Sequence, residues 1–235
     1  MSKNIAALIK QAEMDLLNEQ WADALGKFDT VLVQLNQTLP SAELAEIYNG
    51  RGVALLQTGV PQQAIESFNR ALKFNPAMAS AFFNRGMSWE ALGEVERTIA
   101  DYSKAIELEP NDAEYYFRRS AVYFVLEQFE KTVADATRVI DLHPDSPVIG
   151  PLVGRGLAYH RLENLEAASK DYTRALEADP RAAADAYFYR ALVHLDNEDA
   201  LAARADLQAF LLMTDDPDGM LGTQAKEIIE ELDKL

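Results

Sequence analysis

Residues 79–110 read ASAFFNRGMSWEALGEVERTIADYSKAIELEP, and their spacing decides the fold. Two amphipathic helical patterns flank a break at Gly93. In the first, Phe82 is followed four residues on by Gly86 and then by the aromatic Trp89, a spacing that places all three on one helical face. In the second, Tyr102 and Ala105 mark the matching face, and Pro110 closes the helix because the residue before a proline is pushed out of the α region. The small residue lets a partner helix come close. A large side chain at Gly86 would force the axes apart at a cost of ~1–3 kcal/mol. Gly59 and Gly93 suit the tight turn inside such a helix pair.

The same pattern recurs outward in both directions. Pro76, Pro110 and Pro144 are 34 residues apart, and Pro180 follows 36 later. A fixed period in this range means stacked helical repeats. Six units register near 5–38, 45–78, 79–112, 113–146, 149–182 and 184–217. The tail, 218–235, carries one apolar stripe (Leu221, Ala225, Ile228, Ile229, Leu232 and Leu235) and reads as a helix capping the sixth unit, with a dimerisation helix as the alternative. Residues 39–44 lengthen the first helix of the second unit, with Ser41 as its N-cap. Residues 145–151 hold two prolines and a glycine, which predicts a looser join between the fourth and fifth units.

Composition bounds the function. Of 235 residues, 49% are apolar, which argues against disorder, and there is no cysteine, which excludes disulfides and thiolate metal sites. The net charge of −16 comes without a basic stripe, so nucleic acid is excluded as a partner. Neither a signal-peptide pattern nor an apolar run of membrane-spanning length is present, and the expectation is a soluble cytoplasmic protein with no direct membrane insertion. His143, His160 and His194 fall in different units without ligand spacing, and His194 stands in a packing place. GPLVGRG at 150–156 lacks the Lys-Ser/Thr ending of a phosphate loop and any strand before it. The sequence predicts neither an enzyme, a cofactor nor a metal site.

One charged pattern runs through the repeats. Arg51, Arg85, Arg119, Arg155 and Arg190 each precede the small residue, and Asp101, Asp135, Asp171 and Asp206 recur in the second helices. Pairing to the next unit would set Lys27 against Arg51 and leave Asp206 alone. Pairing within the unit predicts Arg85–Asp101, Arg119–Asp135, Arg155–Asp171 and Arg190–Asp206 as structural braces.

The chain resembles the tetratricopeptide repeat (TPR) family over nearly its whole length. The family's first helix takes a bulky, a small and an aromatic residue. These are Tyr48, Gly52 and Leu55; Phe82, Gly86 and Trp89; Tyr116, Ser120 and Tyr123; Leu152, Gly156 and Tyr159; and Tyr187, Ala191 and His194. Its second helix takes a small residue, an aromatic and Ala, here Ala64, Phe68 and Ala71; Thr98, Tyr102 and Ala105; and Ala168, Tyr172 and Ala175. The fourth unit departs with Thr132, Ala136 and Val139. The first unit keeps Ala12, Ala24, Phe28 and Val31 but has Asn36 in the proline place, and the sixth has Ala203, Leu207 and Phe210 with Asp215 there.

The resemblance implies an all-α, right-handed superhelical solenoid, a single one over 1–235. Its first helices would line a concave groove that binds a peptide or helix of a partner protein. The groove places are Asn49, Val53 and Leu56; Phe83, Asn84 and Met87; Phe117, Arg118, Ala121 and Phe124; Val153 and Leu157; and Phe188, Tyr189 and Leu192. Phe83, Phe117 and Phe188 each follow a packed aromatic, and at 100° per residue consecutive rings cannot share one face. One TPR subtype clamps chaperone tails with five residues. Asn84 and Arg118 match that clamp while Asn49, Val53 and Glu114 do not, which disfavours this partner. The reading is a non-catalytic adaptor or scaffold. The alternatives are a self-assembling scaffold, making a homo-oligomer possible, and a regulatory subunit that meets an enzyme or chaperone complex through its acidic convex face.

Overall fold

A computed structural model describes residues 3–35 and 39–234. Asn36 and Leu235 lie outside them. Among the described residues there are thirteen α-helices and no strand. The chain divides into two compact halves, Met1–Tyr115 and Tyr116–Leu235. The first half holds α1 (Lys3–Leu17), α2 (Trp21–Leu35), α3 (Ser41–Gln57), α4 (Pro61–Phe74), α5 (Ala79–Ala91), α6 (Val95–Leu108) and the first residues of α7 (Ala113–Val125). The second holds the rest of α7, then α8 (Phe129–Leu142), α9 (Ile149–Arg161), α10 (Leu165–Ala178), α11 (Ala184–Asp196), α12 (Ala200–Met213) and α13 (Met220–Leu232).

The small residues do what their spacing predicts. A Cβ built on Gly52, Gly86 or Gly156 would lie 2.5, 2.7 or 2.6 Å from the ring of Phe68, Tyr102 or Tyr172, respectively, on the second helix of the same repeat. Those three rings are fully buried. In the fourth repeat Ser120 replaces the glycine, and Ala136 replaces the ring; in the sixth, Ala191 goes with Leu207. Phe28 in the first repeat also presses on the next one: a Cβ on Gly50 of α3 would meet its ring at 2.6 Å. Three of the apolar clusters mix neighbouring repeats, as where Ala12, Phe28 and Ile47 of α1, α2 and α3 join one core. A lone repeat therefore has no core of its own.

The turn inside every repeat closes the same way. The residue after the turn donates its N–H to the carbonyl five residues back: Gln20 to Asp15, Val60 to Leu55, Glu94 to Trp89, Gln128 to Tyr123, Asn164 to Tyr159 and Asp199 to His194, at 2.8–2.9 Å. This Schellman closure requires a left-handed residue just before the donor. Gly59 and Gly93 supply it in two repeats. In the other four it falls on Glu19, Glu127, Glu163 and Glu198, at φ of 56–60°, where a side chain is strained.

The helices end as the prolines dictate: α4, α6, α8 and α10 stop two residues before Pro76, Pro110, Pro144 and Pro180. After α12, Thr214 takes an extended backbone (φ −69°, ψ 143°), although Asp215 and not a proline follows it. The segment 39–44 does lengthen α3, but Ser41 is its first helical residue and not its cap. Pro40 stands at the cap in an extended conformation, without a side-chain hydrogen bond. At the join 145–151, α9 begins at Ile149, and Ile140 shares a buried cluster with Leu152, against which Val148 and Ile149 pack. Apolar packing thus covers only the end of the join, while 145–147 are exposed and line a cleft of about 390 Å³. Helix α13 lays Leu221, Ala225, Ile228, Ile229 and Leu232 over the sixth repeat, against Ala191, Ala203, Leu207 and Phe210.

The four charged pairs form within their repeats. Arg85 Nε and Nη2 donate to the two oxygens of Asp101 at 2.7 Å each. Arg119–Asp135, Arg155–Asp171 and Arg190–Asp206 repeat this two-point grip at 2.7–2.8 Å. The remaining nitrogen reaches the second helix of the preceding repeat: Arg85 Nη1 donates to Asn69 Oδ1 at 2.6 Å, Arg155 Nη1 to Thr137 Oγ1 at 2.9 Å, and Arg190 Nη1 to Thr173 Oγ1 at 2.9 Å. The partner thus lies both in the same repeat and in its neighbour. In the first repeat Lys27 stands in the aspartate place and pairs instead with Asp15. Hydrogen bonds to Asp171 and Asp206 push the pKa of Arg155 and Arg190 above the usual guanidinium value.

Two stability measurements check this framework. Asp171→Ala leaves the largely buried Arg155 without its carboxylate and should lower the unfolding free energy by about 3–5 kcal/mol in urea. A loss under 1 kcal/mol would show that the pair is not a brace. Glu127→Gly relieves the left-handed turn and should raise stability by about 1 kcal/mol; a decrease would show that the glutamate side chain makes a stabilising contact of its own.

Candidate functional site

The first helices carry the predicted groove places, and the structure sorts them. In the first half, Asn84 Nδ2 donates to Asn49 Oδ1 at 3.2 Å, tying α5 to α3. Val53 and Leu56 pack against the cluster of Leu55, Ala64 and Phe68. Met87 is half-buried. Phe83 is half-buried too, and its ring stands 5.4 Å from that of Tyr102 and 4.7 Å from that of Tyr115. It joins neighbouring repeats and is not an open ring.

In the second half, Phe117 is 36% exposed, close to bare Gly150, while Arg118 and Ala121 are exposed. Phe124 turns to the following helix and meets Phe129 edge-on at 5.5 Å. Val153 and Leu157 are partly buried on α9. Phe188 departs from the expectation of an exposed ring. It is 3% exposed, wedged against Phe210 at 5.6 Å and Tyr189 at 5.8 Å. Phe210 of α12 and Ala225 of α13 share its buried cluster.

Leu157, Tyr189 and Leu192 converge. They line a cleft of about 670 Å³ between α9 and α11, with Leu165 beside them and His160, Arg161, Glu163 and Asp196 around them. His160 Nε2 and Asp196 Oδ2, 2.6 Å apart, link the two helices. Tyr189 stacks on the buried Tyr172 at 6.1 Å, and burial raises the pKa of both phenols. Both stay neutral at physiological pH. The cleft thus combines an apolar wall with a polar edge of both signs. His160, Arg161, Glu163 and Asp196 were not legible as site residues because nothing in their spacing marks them. Only the packing of α9 against α11 brings them together.

The other histidines have local roles. His143 caps α8, with Nδ1 3.0 Å from the Val139 carbonyl, and His194 Nε2 lies 3.5 Å from Asp206 Oδ2. His194 is thus half-buried beside a carboxylate, not enclosed in the core. Among the described residues no three His, Asp or Glu side chains gather as a metal site, and no helix is long and apolar enough to cross a membrane.

Known proteins give the frame. No curated protein matches the sequence. Among solved structures, YrrB, a TPR protein with an unusual peptide-binding site, superposes with a TM-score of 0.71 at 18% identity, over 85% of this chain and 97% of that one. The C-terminal part of a TPR repeat-containing protein from Cytophaga hutchinsonii reaches 0.75 at 15% identity, over 96% and 95%. A tetratricopeptide repeat protein from Parabacteroides merdae reaches 0.65 at 15%, over 98% and 99%. At these identities the likeness is one of fold. The family model for the tetratricopeptide repeat matches residues 16–79, 49–113 and 153–219, the greater part of the sequence. The chain belongs to the tetratricopeptide repeat family.

Proposed function

We propose that the protein is a non-catalytic adaptor that holds a peptide or helix of a partner protein against its first helices. The TPR fold supports protein–protein interaction in general. The observation that carries the finer reading is the α9–α11 cleft, where Leu157, Tyr189 and Leu192, all three picked out by sequence, meet around one apolar hollow. Apolar walls supply the affinity of such a site and the polar edge its register. The peptide-binding site of YrrB is a precedent within the same fold. The net charge of −16 sets nucleic acid aside as the ligand and favours protein partners that are not strongly acidic overall.

The test is selection from a displayed library of random peptides, with the chain immobilised. A peptide enriched by the wild type should bind at least about tenfold more weakly to a Leu157→Ala, Leu192→Ala variant of unchanged helicity, since apolar anchors dominate such interfaces. Equal binding by the variant would remove the cleft from the site, and no enrichment at all would contradict peptide binding.

A further inference from the structure

The arginine series has one gap. Sixteen residues after the arginine, four repeats place an aspartate, whereas the second repeat places Ser67 after Arg51. Ser67 is 1% exposed; its Oγ accepts from Arg51 Nη1 at 2.7 Å and donates to the Gln63 carbonyl at 3.1 Å. Arg51 Nε turns to the preceding repeat and donates to Asp29 Oδ1 at 2.6 Å. The fork that elsewhere grips both oxygens of one carboxylate is here divided between a hydroxyl and one oxygen of Asp29. A cleft of about 700 Å³ opens at this place between α2, α3 and α4, and Arg51, Ser67 and Arg70 line it. Arg70 lies over the Tyr48 ring, 5.6 Å from its centroid, and its Nη1 donates to Tyr48 Oη at 3.3 Å.

We propose that this cleft binds a carboxylate presented by a partner protein, with Arg51 and Arg70 as its ligands. The chain itself supplies the template. In the sister repeats the same arginine, at the same height on its helix, takes a carboxylate in two-point geometry. Ser67 reaches Arg51 Nη1 but brings no charge, and a guanidinium fork matches a carboxylate in shape as well as charge. The second arginine, in the same cleft, adds a positive charge that no repeat-internal acid takes up in the aspartate's manner. Asp29 and Glu66 also line the cleft, and their charges select a monoanion over a dianion such as phosphate. Arg51 is two residues from Asn49, about 200° around α3, so this site faces away from the predicted peptide groove and does not depend on it.

The carboxylate can come from an acidic side chain or from a chain terminus, and the test separates the two. The full chain, labelled with nitrogen-15, is titrated at constant ionic strength while its arginine Nε–H resonances are followed. One probe is an acetylated tripeptide with a central glutamate and an amidated end; the other is acetylated triglycine with a free carboxyl end. Acetylated triglycine amide is the blank. The Arg51 resonance should shift saturably with at least one carboxylate probe and not with the blank, while Arg85, whose fork already holds Asp101, stays in place. The probe that acts identifies the source. Ser67→Asp should fill the place from within, abolish the response and raise the melting temperature. An Arg51 resonance that ignores both probes, a folded Ser67→Asp chain that still responds, or a stronger response to inorganic phosphate would each overturn the proposal.

Discussion

The grip of one arginine on two second helices is the interaction on which the rest of each half depends. Arg155 holds both oxygens of Asp171 in its own repeat and Thr137 Oγ1 in the preceding one, and Arg190 does the same with Asp206 and Thr173. A largely buried guanidinium is costly unless its donors are met. Here they are met only when two consecutive repeats are in register. Apolar packing supplies most of the driving force but is indifferent to small slips. The arginine fork, with its fixed directions, makes such a slip expensive. Burial thus holds the repeats together, and the arginines set their alignment.

Size complementarity works beside it. Glycine faces a ring at Gly52–Phe68, Gly86–Tyr102 and Gly156–Tyr172, while Ser120 and Ala191 face the smaller Ala136 and Leu207. The first helices are thereby pulled close to the second helices on one side. Their other side bears the residues of the proposed groove. In the second half the approach of α9 to α11 creates the cleft of Leu157, Tyr189 and Leu192. The cleft is a product of the same close packing that makes the fold.

Much of this was legible in the sequence, because the repeat period multiplies weak local signals. The helix pairs, the capping helix and the four aspartate partners all followed from residues recurring at fixed offsets. What stayed hidden was what occurs once, or what depends on a neighbour. Phe188 looks like Phe83 and Phe117 in the sequence, but the Phe210 ring on the second helix of its own repeat helps to bury it. Ser41 is a good N-cap by residue type, yet Pro40 takes the cap place. The left-handed turns at Glu19, Glu127, Glu163 and Glu198 carry no glycine to betray them; only their equivalence to Gly59 and Gly93 could have shown them. The reach of Arg85, Arg155 and Arg190 to the preceding repeat was weighed only as an alternative to pairing within the repeat, because the sequence was searched for aspartate partners and these contacts go to the neutral side chains of Asn69, Thr137 and Thr173.

The most direct measurement is hydrogen exchange, followed by mass spectrometry, on the wild type and on Arg155→Met. If the arginine aligns two repeats, protection should fall in α8, which holds Thr137, as well as in α9 and α10. Faster exchange confined to α9 and α10, with α8 unchanged, would mean that the arginine braces its own repeat alone and that packing by itself sets the register of the stack.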